Sequence, residues 1–158
     1  MNFEVNIFEV VNWFLHTQPM THKKLQKLLY FSYGIYLVTY NENVHDLKNK
    51  LFINNFQAWV HGPVDPSVYE LYKNNGINLL YIEETYVNNF NIKTLKVLNK
   101  TIELYGKYDA DELEQITHEQ LPWQNARKEL GPTDISTNRL SDEDIFITFR
   151  DLLNYNAE

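Results

Sequence analysis

A mainly α, compact single-domain helical bundle with a small two-stranded β element is the fold this sequence predicts, and three observations carry the prediction. Four helix starts share one arrangement, a capping residue with an apolar residue just before it and another four positions after it, known as a hydrophobic staple. They are Met20/Thr21/Leu25, Val64/Asp65/Tyr69, Tyr108/Asp109/Leu113 and Leu140/Ser141/Ile145. Apolar residues also recur at three- and four-residue steps over long windows, the period of a helix with one buried face. Finally, 158 residues at 44% apolar and 15% aromatic content form a globular composition. A chain near 150 residues buries roughly two-thirds of its unfolded surface, enough for one core. One domain over residues 1–158, with a core from about 5 to 153, is therefore expected.

The first helix is expected from about Val5 to His16, because Ile7, Val10, Val11 and Phe14 fall on one face, and Thr17-Gln-Pro-Met forms its exit. The second spans Thr21 to about Tyr40. Leu25, Leu28, Leu29, Tyr36 and Leu37 are in register, and Tyr30, Phe31 and Tyr33 make it apolar almost all round, so it belongs at the centre. Leu51 to Val60 fits either a strand or a short helix. Next comes the most constrained stretch of the chain. Gly62 admits an unusual φ, and Pro63 holds Gly62 out of the helical region, so His61-Gly62-Pro63 predicts a sharp bend. Asp65-Pro66 then reads as an N-cap followed by proline at the first helical position, with Val68, Tyr69 and Tyr72 behind it.

Leu79 to Val87 is rich in β-formers, Tyr81, Ile82, Thr85, Tyr86 and Val87, and the small two-stranded element is expected there. Ile92, Leu95, Leu98, Ile102 and Tyr105 predict a helix from about Phe90 to Tyr105 that stops at Gly106. A short acidic helix, Asp109 to His118, follows, and Glu112 at its third position completes a capping-box pattern. Leu121-Pro-Trp interrupts it, Gln124 to Lys128 forms one more turn, and Ser141 to about Tyr155 is the last helix, with Asp144 at its third position.

Composition narrows the function. The absence of cysteine excludes disulfides, thiolate metal sites and cysteine nucleophiles. The N-terminus lacks the basic flank and cleavage site of a signal peptide, and the most apolar window, Leu28 to Tyr40, is too short for the roughly 20 residues of a membrane span. A cytoplasmic protein with no membrane partner is expected. The net charge of −7 opposes nucleic-acid binding through Lys23, Lys24 and Lys27, and suits solubility or a basic protein partner.

No standard catalytic grammar is present. Histidines at 16, 22, 45, 61 and 118 include no pair four residues apart, and His118-Glu119 is followed by Pro122 where a zincin needs its second histidine. The five glycines never cluster into a phosphate cradle, and no serine lies in a nucleophile elbow. No cofactor or metal is expected. The carboxylates of Asp109, Asp111, Glu112 and Glu114 are explained by the preference of a helix's first turn for acids.

The irregular stretch Thr117 to Arg127 has two readings. In one, Trp123 plugs the core while His118 and Arg127 satisfy free carbonyls around the helix break. In the other, Trp59, His61, His118, Trp123 and Arg127 line a pocket for a partner or ligand, since Trp and Arg are favoured interface anchors.

Three landmarks occur in a recognisable order. They are Lys24-Leu25-Gln26-Lys27-Leu28-Leu29-Tyr30-Phe31; then Phe56-x-Ala58-Trp59-x-x-Gly62-Pro63-Val64 with Val68-Tyr69; then Leu113, Thr117-His118, Pro122-Trp123 and Ala126-Arg127. Together they resemble the Panacea domain family, including its SocA-like branch. The resemblance implies a non-enzymatic, phage- or bacterium-associated antitoxin that neutralises a cognate protein toxin by direct binding. Alternatives within the same resemblance are a proteolytic adaptor that delivers its partner to a cytosolic protease, and a regulatory protein of a phage or mobile element. A small-ligand enzyme using His61, His118, Trp123 and Arg127 is the competing class. The landmarks are expected to meet in space, with Trp59 near Trp123.

Overall fold

The computed structural model describes residues 2–82 and 86–154. In chain order the elements are β1 (Asn2–Phe3), α1 (Ile7–Thr17), α2 (His22–Thr39), β2 (Asn49–Lys50), β3 (Gln57–Trp59), β4 (Gly62–Val64), α3 (Pro66–Tyr72), α4 (Ile92–Tyr105), α5 (Ala110–His118), α6 (Leu121–Ala126) and α7 (Asp142–Asn154). One tight turn of 3-10 helix, Lys73–Asn75, follows α3.

The fold is mainly α because α2 is a central post. Its side chains are buried continuously from Leu25 to Leu37, and α1, α4, α5 and α7 pack around it. A helix without a wet face needs neighbours on every side. Gly34 lets α7 come close, since a Cβ there would collide with the ring of Phe149 on that helix. Aromatic rings fill the interior. Phe31 stacks on Tyr105 at 3.9 Å, and Tyr30 meets Phe56 and Phe149 edge-on.

The buried hydroxyls of α2 reach partners at the core's margins. Tyr30 donates to Gln120 Oε1 at 2.8 Å, and Tyr33 donates to Asp142 Oδ1 at 2.7 Å. Asp142 also takes Lys50 Nζ at 2.6 Å and Asn54 Nδ2 at 2.9 Å, so one carboxylate ties α2, β2 and the loop before β3 to the start of α7. Burial together with a nearby Asp142 charge pushes the Tyr33 phenol far above its ordinary range.

The helix starts follow their caps. Thr21 accepts from Lys24 N, Asp65 accepts from Ser67 N and Val68 N, and Asp109 with Glu112 forms a complete capping box. Ser141 Oγ accepts from Asp144 N at 3.1 Å. Two starts fall later than periodicity alone placed them. Asn6 accepts from Phe8 N and Asn91 accepts from Thr94 N, so α1 begins at Ile7 instead of Val5 and α4 at Ile92 instead of Phe90. Pro122 does not interrupt a helix. It occupies the first turn of α6, where its missing N–H has no intrahelical partner to lose, and the helix ends at Ala126.

The β structure lies elsewhere than expected. Among the described residues two small two-stranded sheets form, one parallel (Asn2 opposite Asn49, Phe3 opposite Lys50) and one antiparallel hairpin (Gln57 opposite Val64, Ala58 opposite Pro63, Trp59 opposite Gly62). The hairpin resolves the ambiguous Leu51–Val60 stretch. Within Leu79–Val87, Thr85 lies outside the described residues, and the described ones contain a single antiparallel bridge from Leu80 to Met20. High β-propensity makes no sheet without a neighbouring strand to complete the ladder. Among the described residues no helix is long and apolar enough to cross a membrane.

Candidate functional site: a clamped hairpin beside an apolar cleft

The three sequence landmarks converge on the β3–β4 hairpin. Gly62 has φ of 105°, a conformation that side chains rarely adopt. Space forbids a side chain there as well, because a Cβ would sit 2.7 Å from Lys27 Cε and 2.9 Å from Thr117 Oγ1. The turn is thus pressed against α2 on one side and α5 on the other.

From α2 come two polar side chains. Gln26 grips Asp65 through both amide atoms, Nε2 donating to Asp65 O at 3.0 Å and Oε1 accepting from Asp65 N at 2.8 Å. Lys27, only 1% exposed, donates from Nζ to Pro63 O at 3.0 Å. Burial, helped by the charge of Lys23 and opposed by Glu114, lowers the Lys27 ammonium to about 7. His22, whose Nε2 lies 3.2 Å from Gln26 Nε2, is lowered to about 4 by burial and then by Lys27, so its ring is neutral.

From the α5–α6 break come the remaining holds. Trp123 Nε1 donates to Trp59 O at 2.8 Å, Arg127 donates from one amino group to Ala58 O at 2.8 Å, and His118 stacks on the Trp123 ring at 3.9 Å. The other Arg127 amino group donates to Gly131 O at 3.1 Å and Asp134 O at 2.7 Å, so the guanidinium joins the hairpin to the loop before α7. Its carbon lies 5.3 Å from the centre of the Trp123 ring. Burial holds the His118 imidazole below its ordinary value despite Glu114 nearby.

At the turn, His61 Nδ1 sits 2.9 Å from Glu114 Oε1, which also takes Lys23 Nζ at 2.7 Å, and Lys23 reaches Asp111 at 2.7 Å. Burial favours the neutral form of Glu114, but the Lys23 hydrogen bond and charge outweigh it and hold the carboxyl below its usual range. The three clustered lysines at the start of α2 are each held within the fold. Lys23 is paired with two carboxylates, Lys24 donates to Gly106 O at 2.7 Å, and Lys27 is inside.

The five residues singled out by sequence are therefore divided. Trp59 and His61 line an apolar cleft of about 330 Å³ with Val60, Val64, Ile135, Ser136 and Thr137. His118, Trp123 and Arg127 stand behind the hairpin and hold it. Trp59 and Trp123 do meet, through the main chain of one and the indole N–H of the other. Gln26, Lys27 and Gly62 complete the clamp, and no site reading of the sequence assigned them a role in it.

Fold and site together define a class: a mainly α domain whose central helix and helix break grip one hairpin and leave an apolar cleft beside it. The chain belongs to the family described as Antitoxin SocA-like, Panacea domain, which it matches over residues 25–124, an interval holding the gripping residues of α2, the hairpin and Trp123. The chain is 41% identical to "Antitoxin SocA" of Caulobacter vibrioides (strain NA1000 / CB15N) over 59 residues, 37% of this chain and 27% of that protein. The match therefore spans little more than a quarter of that relative. No solved structure matches significantly.

Proposed function

We propose that this protein is a non-enzymatic antitoxin acting in the cytoplasm, and that it neutralises a cognate protein toxin by binding it directly through the cleft beside the hairpin. Membership of the SocA-like Panacea family supports the antitoxin role. The single observation that carries the choice of surface is the cleft itself. Trp59, Val60 and Val64, on a backbone clamped by buried side chains, line it together with Ile135, which is 91% exposed. A rigid apolar surface binds without ordering cost, which favours it as a docking face.

Co-expression with the product of an adjacent reading frame tests the role: growth rescue with a co-purifying complex is the expected result, and no rescue with any neighbour would sink it. Ile135→Glu tests the surface, since it alters an exposed side chain and is expected to weaken the complex at least about tenfold while leaving the fold intact. If the partner's half-life shortens whenever this protein is present, delivery to a protease replaces masking as the mode of neutralisation.

A further inference from the structure

We infer that a cavity between segment 44–54 and the start of α7 binds a small zwitterion, an α-amino acid with an aliphatic side chain. The cavity is about 610 Å³, within the range of small-molecule sites, and it shares no lining residue with the cleft beside the hairpin. Its least exposed charges cancel. Lys50 and Asp142 line it with side chains 12% and 18% exposed, and their ion pair at 2.6 Å is completed by Asn54 Nδ2 and the Tyr33 hydroxyl, which both donate to Asp142 Oδ1. Two opposite charges remain on the lining, and they do not meet. Arg139 Nη2 donates to Asn54 O and to Asn55 Oδ1, which leaves Nε and Nη1 without an acceptor among the described residues. Glu143 accepts from Ser141 Oγ at 3.0 Å through Oε2, which leaves Oε1 free among the same residues. Although the two are only four positions apart, among the described residues neither forms an ion pair.

A guanidinium and a carboxylate held apart on one cavity are complementary to a ligand that carries both a carboxylate and an ammonium. The unused edge of Arg139 takes the carboxylate as a fork, and Glu143 takes the ammonium. Exposed His45 lies on the same lining and serves as a further donor or acceptor. Net charge decides against a simple anion. At −7 the field of the protein repels a molecule of net negative charge, whereas a zwitterion carries none. The rest of the lining decides the side chain. Val44, Leu47, Ile53 and Leu140 belong to it, and Ile53 is 53% exposed. An aliphatic group laid on these residues removes apolar surface from water on both partners.

Titration of the full chain with L-leucine, followed through its amide NMR shifts, is the test. Saturable shifts at Asn54, Asn55 and Leu140 with a Kd of about 1 mM or tighter are expected, and no saturation by about 20 mM overturns the inference. N-acetyl-leucine lacks the ammonium and leucinamide lacks the carboxylate, so each is expected to bind about tenfold more weakly. Equal binding of N-acetyl-leucine replaces the zwitterion with an anion, such as a peptide C-terminus, and overturns the inference. Equal binding of leucinamide overturns it in favour of a cation. Glycine is expected to bind about fivefold more weakly than leucine, and equal binding overturns the aliphatic part. Glu143→Gln and Arg139→Gln are each expected to weaken leucine binding about tenfold with the helical circular dichroism unchanged. Arg139 also holds the main chain at Asn54, so if Arg139→Gln fails to fold the exposed Glu143 decides. Undiminished binding in Glu143→Gln overturns the assignment, as do shifts confined to Trp59 and Ile135, which place the ligand in the other cleft. The antitoxin role does not depend on this site.

Discussion

The β3–β4 hairpin and the segment Leu79–Ile82 are both short, extended and rich in apolar residues, yet they are held in opposite ways. The hairpin is gripped at Ala58, Trp59, Pro63 and Asp65 by side chains of Arg127, Trp123, Lys27 and Gln26, all hydrogen-bonded to its main chain. The segment around Leu80 is held by one bridge to Met20 and one buried leucine. The difference teaches that extended chain in this protein is fixed by long polar side chains reaching from helices, and that where none reach, an edge is left open.

The largest effect is expected where the clamp leaves no room. Gly62→Ala forces a side chain into φ of 105° and against Lys27 and Thr117, which is expected to cost about 4 kcal/mol in urea unfolding. Stability within about 1 kcal/mol of the parent would show the hairpin to be looser than its contacts imply. Arg127→Ala strips hydrogen bonds from Ala58, Gly131 and Asp134 at once and is expected to cost about 3 kcal/mol. Arg127→Lys should recover only part of it, since an ammonium cannot reproduce the planar fork.

Lys27 ties stability to pH. Its folded value is lowered to about 7 from the 10.5 of an ordinary lysine, so between these values the unfolded chain binds more protons than the folded one. Stability must then rise with pH through that window. Urea midpoints are expected to increase from about pH 7 to about pH 9, by up to about 2 kcal/mol, with the slope flattened in Lys27→Met. An unchanged slope in that variant would mean that Lys27 keeps water at its ammonium. The smallest effects belong to the open segment. Leu80→Ala is expected to cost about 1.5 kcal/mol, below the usual range for a buried leucine because few elements surround it. The amides of Leu79 and Tyr81, which make no main-chain hydrogen bond among the described residues, should exchange with solvent well before that of Ala58, which donates to Asn138 O at 2.8 Å.

Much of the scaffold was legible from local patterns. Caps at Thr21, Asp65, Asp109 and Ser141 are short-range arrangements, and each sets its helix start in the structure as it does in the sequence. Asn6 and Asn91 were equally local signals, outweighed by apolar periodicity that begins a residue or two too early. The candidate site was half legible. Trp59 and Trp123 could be expected to meet, but whether His118 and Arg127 face a cleft or the back of a hairpin depends on which side of β3 the α5–α6 break lies, and no local pattern carries that. The β-formers of Leu79–Val87 misled for the same reason, since a strand is defined by a neighbour distant in sequence.

By itself the sequence determined the helical class, the starts of the four helices capped by Thr21, Asp65, Asp109 and Ser141, the centrality of α2 and the family, because caps, periodicity and ordered landmarks act within a few residues of one another. Only the tertiary structure decided that Lys27 and Gln26 hold the hairpin, that Trp59 and His61 face the cleft while His118, Trp123 and Arg127 stand behind it, and that Leu79 and Tyr81 are left at an open edge. Each of those outcomes turns on long-range packing, where a side chain's role is set by which main-chain groups the fold brings within its reach.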